Sequence, residues 1–115
     1  MTTERELHEA TLLVRGGLQR TGFDETAEGL FLTSGYVYSS AGEGESAFAG
    51  AHDSDIYSRY GNPAVSMFEE RLRLIEGAES CMATASGMAA VFASLASFVS
   101  AGDKVVGSRA LFGSC

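Results

Sequence analysis

Basic residues are scarce in this chain: 8 Lys and Arg stand against 15 Asp and Glu, a formal charge of −7. That balance argues against a nucleic-acid-binding surface, which needs clustered Lys and Arg. It also gives no reason to expect an anionic membrane as partner. No stretch is long and apolar enough to span a bilayer. The opening, Met1 to Glu9, is polar and acidic, unlike a signal peptide or an Arg-rich transit sequence, so the expected location is the cytoplasm. Cysteine occurs twice, as Cys81 and Cys115. The pair fits a reducing compartment and shows no metal-ligand spacing, either internally or with His8 and His52, so no metal site is expected. Lysine occurs once, as Lys104.

Against these absences, 45% of the 115 residues are hydrophobic, enough for one domain with a core. Glu4 to Arg15 reads as a first helix, with acidic residues early and Arg15 late, in the sense the helix dipole favours. Leu7, Ala10 and Val14 share one face, and Gly16-Gly17 stops it. Leu18 to Tyr60 has no sustained period, and Ser39 to Glu45 reads as an exposed loop. Yet this stretch carries Phe31, Tyr36, Tyr38 and Phe48, which a mere linker does not need. An arm lying on another subunit explains both facts; disorder or a misread pair of strands is the alternative.

Asn62-Pro63 opens the clearest helix, with Asn62 as cap and Pro63 where no N–H is needed. Val65, Phe68, Leu72 and Ile75 form an apolar stripe, Glu69 and Arg73 an i,i+4 pair, and Gly77 ends it. Ser80 to Thr84 then reads as a short buried strand. Ser86 to Ala101 reads as a helix apolar nearly all round, and Lys104 to Ser108 as the next strand. Strand, helix, strand with short connections is a βαβ unit, so the expected class is α/β with a parallel component. The sequence stops just after the second expected strand, at Leu111 to Cys115. A sheet left there lacks its next crossover, so a piece of a longer protein is the expectation.

Two segments point to chemistry. In Ala83 to Ala90 a strand runs through small residues into a helix start, whose N–H groups and partial positive charge suit a phosphate. Gly87 allows close approach, and Ser86 or Thr84 offers a hydroxyl. A plain helix cap accounts for the same residues. The turn is neither a Walker loop nor a dinucleotide fingerprint, because G-K-[ST] and G-x-G-x-x-G are absent. The second segment is Asp55 to Pro63. If it is extended, Tyr57 and Arg59 point the same way, and a phenol beside a guanidinium grips a dianionic phosphate. A surface Arg beside a half-buried Tyr is the plainer alternative.

Together these segments resemble the cysteine and methionine metabolism family of pyridoxal-phosphate (PLP) enzymes. The resemblance rests on Tyr-x-Arg-x-x-Asn-Pro at Tyr57 to Pro63, Glu76-Gly77-Ala78, and Ser-Gly-Met-Ala-Ala at Ser86 to Ala90. The opening Thr11 to Gly17 is also similar. It implies the start of a fold-type I PLP enzyme, with residues 1–60 as helix and intersubunit arm and 61–115 as the first part of the PLP-binding α/β domain. It implies that Ser86, Gly87 and Met88 hold the cofactor phosphate. Tyr57 and Arg59 would reach the phosphate of a neighbouring subunit's cofactor, in a dimer that pairs into a tetramer. Phe112 stands where many members carry a Tyr that stacks on the pyridine ring. Phe can stack but has no hydroxyl for proton transfer. That departure, with Phe112 to Cys115, is similar to the O-succinylhomoserine sulfhydrylase branch. Cystathionine γ-synthase, O-acetylhomoserine sulfhydrylase and methionine γ-lyase share the site and stay as alternatives. PLP chemistry needs a Schiff-base lysine. Lys104 does not match the family's motif, which lies downstream, so no catalytic residue is assigned in this segment. If 115 residues were the whole gene product, a non-catalytic phosphate-binding or assembly module would be favoured.

Overall fold

Punctuation residues set where the chain turns helical. In the computed structural model, which describes residues 7–51 and 54–113, four helices are formed: α1 (Glu9–Arg15), α2 (Ala41–Phe48), α3 (Pro63–Glu76) and α4 (Gly87–Ala96). Each starts on a side chain that accepts an otherwise orphaned N–H. His8 Nδ1 accepts from Ala10, Ser40 from Glu43, Asn62 from Ala64 and Ser86 from Ala89. Gly77 ends α3 in the left-handed conformation at φ 60°, the expected stop.

The chain forms two compact units, Met1–Met82 and Ala83–Cys115. In the first, α1 packs on α3. The faces that meet differ from those expected. Leu12, not Leu7, Ala10 and Val14, is the buried residue of α1, and Val14 is exposed. On α3 the fully buried side chain is Met67, while Val65 and Phe68 of the expected stripe are exposed. The reason is the close approach at Gly16-Gly17. A Cβ on Gly16 would lie 3.3 Å from Leu74, and one on Gly17 would lie 2.9 Å from Glu70 and 3.0 Å from the Met67 carbonyl. These glycines let the backbone sit on the Met67–Glu70–Leu74 side of α3, turning that side inward. Arg71 seals the junction, donating to the Gly16 carbonyl at 3.0 Å and pairing with Glu28. Arg73 holds Glu70 through two bonds of 2.7 Å. The start of the first expected helix, with Glu4 and Glu6, lies outside the described residues, as do His52 and Cys115.

Two expectations are corrected. The segment read as an exposed loop at Ser39 to Glu45 is largely α2. Ser40 caps it, and Glu43 reaches back to accept from the Ser39 N–H at 2.6 Å and from the Ser39 hydroxyl, a variant of the capping box. The expected strands at Ser80 to Thr84 and Lys104 to Ser108 carry no ladder. Among the described residues the β pairing is a single antiparallel bridge, Gly35 to Tyr57. An extended segment becomes a strand only when a neighbour takes its N–H and C=O groups, and these two have none among the described residues. The unit holding α4 buries none of that helix's residues.

Candidate functional site

The stretch Tyr57 to Asn62 is tied to the arm by its small polar residues. Ser58 N–H donates to the Ser34 carbonyl at 3.0 Å, and the Ser58 hydroxyl donates to the Thr33 carbonyl. Asn62 Nδ2 donates to the Phe31 carbonyl at 3.0 Å and to Ser58 Oγ at 3.1 Å. The Tyr36 hydroxyl donates to the Gly61 carbonyl at 3.3 Å. A Cβ at Gly61 would lie 2.6 Å from Asp55 Oδ1, so a side chain there would have to push the Asp55 carboxylate aside.

With Ser58 and Asn62 engaged inward, Tyr57, Arg59 and Tyr60 are left exposed. The expected extended geometry is not what brings Tyr57 and Arg59 together. The chain turns there: Tyr60 N–H donates to the Tyr57 carbonyl at 2.8 Å and Gly61 N–H to the same oxygen at 3.2 Å. This folds the Arg59 guanidinium over the Tyr57 ring, 5.2 Å from its centroid, a cation–π contact. Tyr60 meets the same ring edge-on at 6.0 Å. Arg59 has no carboxylate partner among the described residues, and Tyr57 is 38% exposed. Tyr57 and Arg59 are therefore both exposed on one turn.

The second group lies at the start of α4. Ser86 Oγ accepts from the Ala89 N–H at 3.2 Å, which leaves the hydroxyl proton able to donate elsewhere. The Ser86 carbonyl takes the Ala90 N–H at 3.1 Å and the Thr84 hydroxyl at 2.8 Å, so Thr84 is already engaged. Gly87 and Met88 precede the point at which a helix satisfies its own donors. Nothing lies within 4 Å of where a Gly87 Cβ would stand, so an oxygen can approach the backbone. Phe112 is 79% exposed, and Lys104 is exposed too. A cleft of about 340 Å³ beside α1 and the end of α3, lined by Leu12, Arg73, Leu74, Gly77 and Ala78, contains none of these residues.

Sequence reading missed Ser58 and the donor half of Asn62. The signal was present in the residue types, since an amide both accepts and donates where a cap needs only an acceptor. The donors in each group suit a phosphate ester: a guanidinium without a carboxylate partner among the described residues and a phenol in one, a serine hydroxyl and first-turn amides in the other.

A family profile described as Cys/Met metabolism PLP-dependent enzyme matches residues 10–115. The chain is 64% identical over 107 residues to an O-succinylhomoserine sulfhydrylase of Mycobacterium tuberculosis, an overlap covering 93% of this chain and 26% of that protein. It is 50% identical over 104 residues to an O-succinylhomoserine sulfhydrylase of Pseudomonas aeruginosa, covering 90% of this chain and 26% of the relative. It is 36% identical over 104 residues to an L-methionine gamma-lyase of Porphyromonas gingivalis, with the same two coverages of 90% and 26%. The chain thus spans about a quarter of the length of these curated relatives. With a match running from residue 10 to residue 115, the chain belongs to the Cys/Met metabolism family of PLP-dependent enzymes.

Proposed function

We propose that this chain is the N-terminal part of an O-succinylhomoserine sulfhydrylase, a transferase of methionine biosynthesis that makes homocysteine from O-succinylhomoserine and sulfide. The observation that carries the reading is the 64% identity over 107 residues to the M. tuberculosis protein of that name. Phe112 supports it, because a ring without a hydroxyl suits a branch in which that position moves no proton.

Bound PLP supplies the electron sink that lets succinate leave Cγ and sulfide take its place. The residues of this chain bind and orient. Gly87 and Met88 offer backbone N–H groups to the phosphate, and Ser86 offers its hydroxyl proton. The Arg59 fork and the Tyr57 hydroxyl reach the phosphate of the neighbouring subunit's cofactor. Phe112 would stack on the pyridine ring. The Schiff-base lysine, the carboxylate facing the ring nitrogen and the arginine for the substrate carboxylate belong to other parts of the whole protein.

In this reading residues 1–60 form the helix and intersubunit arm. Residues 61–115 begin the α/β cofactor domain of fold-type I, where 80–84 and 104–108 gain the ladder partners that strands require. The subunits share active sites in dimers that pair into a cytoplasmic homotetramer.

The test uses the full-length protein. It is expected to absorb in the visible from bound cofactor, and to release one succinate per homocysteine when given O-succinylhomoserine and sulfide. A colourless protein would sink the reading. Preference for O-acetylhomoserine, for cysteine as acceptor, or for thiol release from methionine would move it to a sibling activity.

A further inference from the structure

We propose that Asn62 is a positioning residue for the Tyr57–Arg59 phosphate grip, clamping the turn that carries both residues to the arm segment at 31–34. The proposal rests on the functional reading above. Asn62 is buried, at 7% exposure, and its two ends do different work. Oδ1 accepts from the Ala64 N–H at 2.9 Å and caps α3. Ser, Thr or Asp would cap as well, since a cap needs only an acceptor. Nδ2 spends both protons elsewhere, on the Phe31 carbonyl at 3.0 Å and on Ser58 Oγ at 3.1 Å. The neighbours fix which end is which, because Ala64 offers a proton and Phe31 a carbonyl.

Ser58 passes the constraint on. Its hydroxyl accepts from Asn62 and donates to the Thr33 carbonyl, and its N–H is held by the Ser34 carbonyl. It stands between Tyr57 and Arg59 in the chain, so fixing Ser58 fixes the backbone from which both project. The Tyr57–Tyr60 turn then brings the guanidinium over the ring. A grip held this way binds without having to order the turn at the moment of binding.

Asn62→Ser and Asn62→Asp each keep the capping acceptor and remove both donations; Ser58→Ala breaks the clamp without touching the cap. In the full-length enzyme, titrating apoenzyme with PLP and following visible absorbance should show binding weakened about tenfold in each, part of what the two buried hydrogen bonds that each variant loses contribute. Amide exchange across α3 should stay near wild type in Asn62→Ser, because the cap survives. Arg59→Ala should weaken binding too, and adding Asn62→Ser or Ser58→Ala to it should cost little more, since both act through the same turn. Wild-type PLP affinity in Asn62→Ser and Ser58→Ala, or fully additive losses on the Arg59→Ala background, overturns the clamp while leaving the grip standing. Full PLP affinity in Arg59→Ala removes the grip itself, and the clamp with it.

Discussion

The backbone N–H of Gln19 donates to the sulfur of Met67 at 3.3 Å. Met67 is 1% exposed, so the innermost side chain of the first unit also holds the start of the arm. Thioether sulfur is a weak acceptor in a flexible side chain that fills irregular space. Met67→Leu keeps the volume and loses the acceptor, and should cost about 1–2 kcal/mol. Met67→Ala also opens a cavity and should cost about 2–5 kcal/mol. Amide exchange across α1 and α3 in the full-length protein checks the order; equal effects would mean that the volume at this position does not matter.

Gly17 and Gly77 separate strain from crowding. Both have positive φ, 69° and 60°, and Ala at either pays about 1–2 kcal/mol for the left-handed conformation. A Cβ at Gly77 meets nothing within 4 Å, whereas at Gly17 it runs into Glu70 and the Met67 carbonyl. Gly17→Ala should therefore destabilise clearly more than Gly77→Ala, read as faster exchange in both α1 and α3 rather than at the end of α3 alone.

Three carboxylates give the arm and α3 an acid sensitivity. The Arg73 guanidinium holds Glu70 below its ordinary value of 4.5. The Thr21 N–H and then the Thr21 hydroxyl do the same for Glu25. Glu28 is lowered by its own backbone N–H and by Arg71. A depressed carboxylate contributes stability that is present above 4.5 and lost as pH falls through the lower folded value. All three face solvent, so the effect is modest and screened by salt. Thermal unfolding from pH 6 to pH 3 should show a decline beginning below about pH 4.5 that Glu70→Gln makes shallower; an unchanged slope would mean the Glu70–Arg73 pair contributes nothing.

Gly87→Ala tests the phosphate role at α4 apart from its fold. The added methyl meets no neighbour, and Ala favours a helix over Gly by about 1 kcal/mol. Local amide protection should hold or rise, while PLP affinity falls because the methyl occupies the approach to the backbone. Unchanged affinity would place the phosphate elsewhere.

What could be read in advance follows the range of the forces involved. The helix α3 was legible from both ends, because Asn62, Pro63 and Gly77 act on their own neighbours. Its buried face was not, since that depends on where Gly16 and Gly17 let another segment approach. The helix α2 hid behind Gly42 and Gly44; only the Ser40-to-Glu43 spacing announced it. Segments 80–84 and 104–108 have strand composition, but a strand is a property of a pair. Tyr57 and Arg59 were legible as neighbours with matching chemistry. The turn that joins them was not, because it is held by carbonyls more than twenty residues back, at Phe31, Thr33 and Ser34.

The bare flanks of α4 bear on how the protein is made. Val91, Phe92 and Leu95 of α4 are all exposed, as is Phe98 just beyond it, at 90%. The first unit carries its own packing of α1 on α3. In the reading proposed above the rest of the chain follows at about 5–20 residues per second, and the apolar residues of α4 stay exposed until it arrives. That interval is when a nascent chain most needs a chaperone. Slowing synthesis once α4 has left the ribosome should lower the yield of soluble protein more than slowing it while α4 is still inside.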